Sequence, residues 1–553
     1  MYKQYCHSQW GASVIAAATL LGELAPGAGG SGDDPATARL GELGSVHFPI
    51  SANPAAQRQF DRALAMLHSF WYEELEGAFG EVHRLDPSAG MAWWGVAMSL
   101  WHPLWDPPPD AVALQKGQDA LQQAQSAGPL TERERAYIKA LGRFYADPGR
   151  VDHATRAGAY AQAMESVHRS YPEDLEATAF WALALLATAS PSDRSHTNQL
   201  RAADLLEQVA RAEPNHPGVV HYLIHAYDSP GLAARGLRDA FCYSQLAPAV
   251  PHALHMPSHI FTRLGMWERA IESNREAAKV ARDYAKRVGM RGAWDEELHA
   301  ADYLTYAYLQ LGREHAADGV LAQLRATPTA AQRNFKAAYA FAAIPARCAL
   351  ECRRWSVAAR LAVHPADFPW SNHAWPLALI HFARGLGSAR LREVAAATGE
   401  LQAIENILRD LGKSPPTYSR QQVEILRQEL AAWIALARGE NAESLRQMRS
   451  VADLEDQIEK RPVTPGPLLP AREMLGDLLL ELGRAEEAGT AYEVSLQSAP
   501  QRFNSLAGAF EAARQLQAKE KAQALARDLV DLCGPEGSSR PEFKAAKEFL
   551  AGR

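Results

Sequence analysis

A 34-residue interval governs this sequence. His221 and His225 stand four residues apart in "HYLIH", and His255 and His259 stand four apart in "HMPSH". Each member of the first pair precedes its counterpart in the second by 34 residues. A fixed period of that length marks an array of supersecondary units, each too small to bury its own apolar face. Stacking on neighbours completes the core, so the period constrains far more of the 553-residue chain than the two fragments that show it.

Strand signals are scarce, and helical hydrophobic periodicity recurs along most of the chain, punctuated by Pro or Gly at helix ends. The predicted fold class is all-α. The clearest unit starts at Leu469. Leu475 and Gly476 fill its positions 7 and 8, Leu479 position 11, Ala488 position 20, Tyr492 position 24 and Pro500 position 32. Phe79 and Pro87 fill positions 24 and 32 of another unit, followed at once by Trp93, Ala97 and Leu100 at 4, 8 and 11. Ala202, Leu206 and Pro214 fill 20, 24 and 32 of a third. Small residues at 8 and 20 let two helices approach, and proline stops the second helix.

These positions resemble the tetratricopeptide repeat family, whose pattern is Trp-x2-Leu-Gly-x2-Tyr, then Ala-x3-Phe, then Pro. The resemblance runs from about Ala56 to Cys533. Within that family the chain is similar to large bacterial proteins of the "F-x-x-A…DP…MAWWG" and "HMPSH" type. The resemblance implies a tetratricopeptide-type α-α superhelix, a solenoid of helical hairpins, and says more about fold than activity. The expected organisation is a leader over 1–30, a linker over 31–55, an array with a histidine-rich groove over 56–390, and a C-terminal helical array over 391–553. "HPLWDPPPD" and "EKRPVTPGPLLPARE" interrupt the repeats. The second, with Pro462, Pro465, Pro467 and Pro470, cannot be a helix interior; it is either an ordered loop across the concave face or a linker.

The leader places Lys3 before an apolar run from Trp10 to Leu21, then small residues and "SGDD". That is the order of a secretory signal, and a disordered tail is the alternative, so periplasmic export and a cytoplasmic location both stay open. The run is too short to span a bilayer, and no later segment has 18 unbroken apolar residues, so no integral membrane segment is expected. A net charge of −7 with pI near 6.3 gives no electrostatic reason to expect a nucleic-acid partner. Five scattered cysteines, none in a CxxC pair, form neither a disulfide framework nor a thiolate zinc site.

With Pro214 closing one unit, the next starts at Pro217, which puts His221 at position 5 and His225 at 9. The following unit starts at Pro251, which puts His252, His255 and His259 at 2, 5 and 9. A third, started at Leu298 to align Gly312 with Gly265, puts His299, Asp302 and Tyr306 at the same three positions. Positions 2, 5 and 9 share one helix face. Asp228, at position 12, extends it. The tetratricopeptide resemblance implies that this face lines the concave groove. Five of the 19 histidines fall between residues 221 and 259, where an even spread gives about one, so they form a local cluster.

Histidines at i and i+4 can share one metal ion, and packed helices lie about 8–10 Å apart, close enough for imidazoles on both to reach it. The candidate metal ligands are therefore His221, His225, His252, His255, His259, His299 and Asp302. The cofactor expected is a transition metal, with zinc, copper and iron open. Tyr306 and Asp228 are the candidate catalytic groups, and hydrolytic and oxidative chemistry are both open. Pro257 must kink its helix or start it, which leaves the direction of His255 unsettled. The competing reading is a non-catalytic scaffold. Either way the groove is expected to take a small molecule or an extended peptide. His68 and His102, also 34 apart, read as aromatic packing at a repeat junction. Glu473 reads as a groove residue or a helix N-terminal carboxylate.

Overall fold

The computed structural model describes residues 42–104, 108–190, 192–412, 418–458 and 464–552. The expected leader lies outside the described residues, as do the linker up to residue 41 and Pro462. Among the described residues the fold is all-α, with no strand and one isolated β-bridge between Ala293 and Ala330. No helix described is long and apolar enough to cross a membrane.

The helices start where the sequence offers caps. Asn53 accepts from the backbone N–H groups of Ala55 and Ala56, and Thr131 forms a reciprocal capping box with Glu134. Proline opens Pro217–Tyr227, Pro251–His255 and Pro257–Arg263, where a missing N–H costs nothing. Gly265 and Gly312, at position 15 of their units, both take φ +67, the left-handed turn between paired helices.

Successive helices pack against one another as an α-α solenoid of helical hairpins. Pro217–Tyr227 pairs with Leu237–Leu246, and Pro251–Arg263 with Trp267–Arg287. Asp295–Gln310 pairs with Glu314–Ala326, and Ala471–Glu481 with Ala485–Ser498. One apolar core runs from Leu43 to Leu311 and a second from Leu298 to Ala512; Asp295–Gln310 contributes to both.

An ideal solenoid touches only its nearest neighbours, and this one departs from that rule. Both ends of the described chain contact its middle. Tyr284 donates to Glu74 at 2.5 Å, and the Trp294 indole donates to Glu73 at 3.1 Å, which ties the first hairpin to the central repeats. From the other end, the buried Arg502 donates to Tyr306, Glu351 and Glu473 at 2.8–2.9 Å. Glu473 is thus a buried ion-pair partner and not a solvated helix-end carboxylate. The described part of the proline-rich stretch, residues 464–470, packs on the central helices: Arg347 donates to the carbonyls of Gly466 and Pro467, both at 2.8 Å.

Within the clearest repeat, Gly476 lies against the ring of Tyr492. A Cβ there would fall 2.6 Å from a ring carbon, and one at Gly508 2.2 Å. Tyr492 has no room to retreat, being fully buried with its hydroxyl donating to Asp477 at 2.7 Å. Gly476→Ala is therefore expected to destabilise the protein by about 1–3 kcal/mol, the usual cost of overpacking. Denaturant unfolding beside the wild type measures this, and an unchanged midpoint would mean the hairpin is not packed as described.

Candidate metal centre

Three helical stretches bring the histidines together. Pro217–Tyr227 carries His221 and His225; Pro251–His255 and Pro257–Arg263 carry His252, His255 and His259; Asp295–Gln310 carries His299. Pro257 breaks the second stretch into two short helices. Met256 between them keeps right-handed α geometry, φ −53 and ψ −36, so the chain kinks without changing face. His255 and His259 consequently remain neighbours across the kink, with Nε2 atoms 3.0 Å apart.

The six imidazoles fall into two groups of three, in each of which one nitrogen per ring lies within 4.8 Å of the others. The first is His221, His225 and His252; the second is His255, His259 and His299. Both obey one register rule: positions 5 and 9 of a unit, completed by position 2 of the next. In the first group the Nε2 of His221 lies 3.1 Å from the Nε2 of His225 and 3.1 Å from that of His252. The groups adjoin, with ring centroids 6.1 Å apart between His225 and His259 and 6.2 Å between His252 and His255.

The outer ring nitrogens settle the tautomers. His221 donates from Nδ1 to the backbone carbonyl of His68 at 2.7 Å. His255 donates from Nδ1 to the amide oxygen of Asn274 at 2.7 Å; that amide is oriented by its own N–H donating to Ala270. His259 donates from Nδ1 to Asp228 at 2.9 Å, and Asp228 is also paired with Arg263 at 2.8 Å. With Nδ1 protonated, each neutral ring presents a lone pair at Nε2. His255 and His259 thus aim two lone pairs at each other across 3.0 Å. Burial, reinforced by the neighbouring imidazoles, holds His221 and His255 well below the ordinary imidazole value. His299 is lowered too, chiefly by burial. A shared proton is therefore a poor remedy, whereas a metal ion accepts both lone pairs. This pattern, with outer nitrogens anchored and inner ones convergent, is that of metal-ligating histidine.

The remaining expected residues fall elsewhere. Asp302 does not join either group: it is buried and accepts from Arg347 at 2.9 Å. Tyr306 accepts from Arg502 and faces the C-terminal repeats. Asp228 anchors His259 from behind and does not face the convergent nitrogens. The tyrosine beside the histidines is Tyr303, whose hydroxyl lies 3.4 Å from the Nε2 of His259. Its spacing of i+4 from His299 was the available signal, since that spacing shares a helix face.

Phe70 is the other residue the repeat register did not mark. Its ring centroid lies 4.5, 5.8 and 6.1 Å from those of His221, His252 and His225. Its backbone is left-handed, φ +54, just past the C-terminal end of Pro54–His68. Trp71 N–H reaches back to Met66 there, a turn that glycine usually makes. His68 and His216 both bond the buried Glu176, at 2.9 and 3.0 Å, and the Tyr222 hydroxyl bonds His68 at 2.9 Å. Burial opposes ionisation of Glu176, but the two histidines outweigh it and hold its carboxyl below the usual range. His68, Glu176 and His216 thus satisfy one another as a buried network, and the same His68 offers its carbonyl to His221. His102 stacks on Tyr72 with centroids 3.7 Å apart, as aromatic packing at a repeat junction.

No protein-family model and no curated protein matches the chain. Among solved structures it is similar to a human IFIT1 dimer with PPP-AAAA, at 12% identity and a TM-score of 0.36, covering 85% of this chain and 89% of that one. A superposition of that quality bears on neither ligand nor chemistry here.

Two outcomes are expected of the metal-free protein. Because His221, His255 and His299 stay neutral when folded, the unfolded chain takes up protons first, near the ordinary imidazole value of about 6.5. Stability from this source is complete above that value and is lost as pH falls through it toward the folded values. Thermal melts across the range should show Tm dropping on the acid side, and a flat profile would count against neutral buried rings. At residue 70, Phe70→Gly should be more stable than Phe70→Ala by about 1 kcal/mol, because only glycine escapes the left-handed penalty. Equal midpoints would mean the turn relaxes.

Proposed function

We propose that the protein is a metal-dependent enzyme whose two histidine groups each hold one transition-metal ion. The observation that carries this reading is the pair of facing lone pairs on His255 and His259, on rings whose outer nitrogens are already committed. Six imidazoles suit zinc, copper, iron or nickel rather than magnesium, calcium or manganese. Zinc, copper and iron all fit this donor set, and both hydrolytic and oxidative chemistry on a small molecule are consistent with it. Three protein ligands per ion leave coordination positions for a substrate or small ligand.

The scaffold alternative has less support. The 464–470 segment packs on Arg347 of the central helices, and five of the six histidines are buried, beyond reach of a peptide lying on the surface.

Metal analysis of protein purified without an affinity tag and loaded with copper should return about two equivalents. His225→Ala and His259→Ala should each lose about one, and the double variant both, with the helical circular dichroism retained. A single shared ion would instead disappear in either single variant. No bound metal after loading with copper, zinc or iron would sink the reading.

A further inference from the structure

Resting on that metal reading, we propose that the two ions are inequivalent. The ion in the His255, His259 and His299 group takes the phenol oxygen of Tyr303 as a fourth protein ligand. The ion in the His221, His225 and His252 group has Phe70 against its three rings and keeps a coordination position for a small exogenous ligand.

The register rule makes the two groups near-copies in their histidines, so the difference lies in the aromatic ring that packs on all three; Tyr243 also stacks in the first group, but on His221, with centroids 5.1 Å apart. Tyr303 packs on all three rings of its group, with centroids 4.6, 5.1 and 5.3 Å from His255, His259 and His299. Phe70 spans all three rings of the other group, at 4.5–6.1 Å. Of the two rings that pack on a whole group, Tyr303 carries an oxygen and Phe70 none.

The position of that oxygen argues for ligation. Tyr303 is 1% exposed, and its hydroxyl has no hydrogen-bond partner among the described residues except the Nε2 of His259, at a long 3.4 Å. A buried hydroxyl without a good partner costs about 1–3 kcal/mol. Once His259 gives its lone pair to a metal, even the long contact loses its acceptor. Bonding to the same ion gives the oxygen a partner, because it and the His259 nitrogen already face the same space. As the oxygen–metal bond forms, the O–H bond breaks and the proton leaves to solvent; no electron is transferred.

Openness falls on the other side. His225 is the one ligand of the six that is only partly buried, and it belongs to the Phe70 group. Phe70 pays a left-handed backbone penalty to hold an apolar ring there, which suits a site that excludes water yet admits a small ligand.

The test is resonance Raman and visible absorption of protein loaded with copper(II), with metal content measured in parallel. Wild type should show tyrosinate vibrations and a phenolate-to-metal absorption band. Tyr303→Phe should lose both while retaining copper in each group. Tyr306→Phe, altered beyond the histidine groups, should keep both, as should His225→Ala, which retains only the Tyr303-side ion. Azide should bind wild type at one per two coppers and should not bind the single copper of His225→Ala. Copper-loaded wild type without tyrosinate features, or features that survive Tyr303→Phe, would overturn this proposal and leave the metal reading standing. Absence of copper from wild type would overturn both.

Discussion

The site depends on where the outer nitrogens of its histidines point. A buried imidazole that donates from Nδ1 has its other nitrogen fixed as a lone pair, and three of these donations are visible. They run from His221 to the His68 carbonyl, from His255 to Asn274 and from His259 to Asp228. Each partner comes from a different element: the end of Pro54–His68, the helix Trp267–Arg287 and the turn after Pro217–Tyr227. Those elements must all be in place before the inner nitrogens converge. The partners are themselves held. His68 is locked by Glu176 and Tyr222, Asn274 by Ala270, and Asp228 by Arg263.

That dependence accounts for the closure of the superhelix on itself. An open array would leave the histidine face in water, where imidazoles stay hydrated and mobile. Here the first hairpin bonds the central repeats through Glu73 and Glu74, and the C-terminal repeats do so through buried charges. Arg502 joins Tyr306, Glu351 and Glu473, and Arg347 joins Asp302 to the segment at Gly466 and Pro467. Buried ion pairs of this kind add little net stability against apolar packing, but breaking one partner is costly. Their effect is to fix how distant repeats sit against one another.

The same architecture separates the roles of chemically similar residues on one helix. Asp295–Gln310 carries His299, Asp302, Tyr303 and Tyr306, all buried. His299 and Tyr303 turn toward the histidine groups, while Asp302 and Tyr306 turn toward Arg347 and Arg502. The helix is largely buried because it belongs to both apolar cores, so burial does not distinguish the face toward the histidine groups from the face toward the arginines.

By itself the sequence determined the repeat length, the all-α hairpin architecture and the equivalence of positions 2, 5 and 9, because these follow from local periodicity. Six of the seven candidate ligands, His221, His225, His252, His255, His259 and His299, were legible on that basis, since register alone places them on one face. It did not determine that they divide into two groups of three, because the division depends on which rings meet across helix interfaces. Nor did it reveal Phe70, which reaches the site from a turn about 150 residues earlier in the chain, or assign Asp302 and Tyr306 to arginines from other repeats. Contacts between residues so distant in sequence leave no periodic trace. They are decided by how the superhelix closes, and only the tertiary structure contains that.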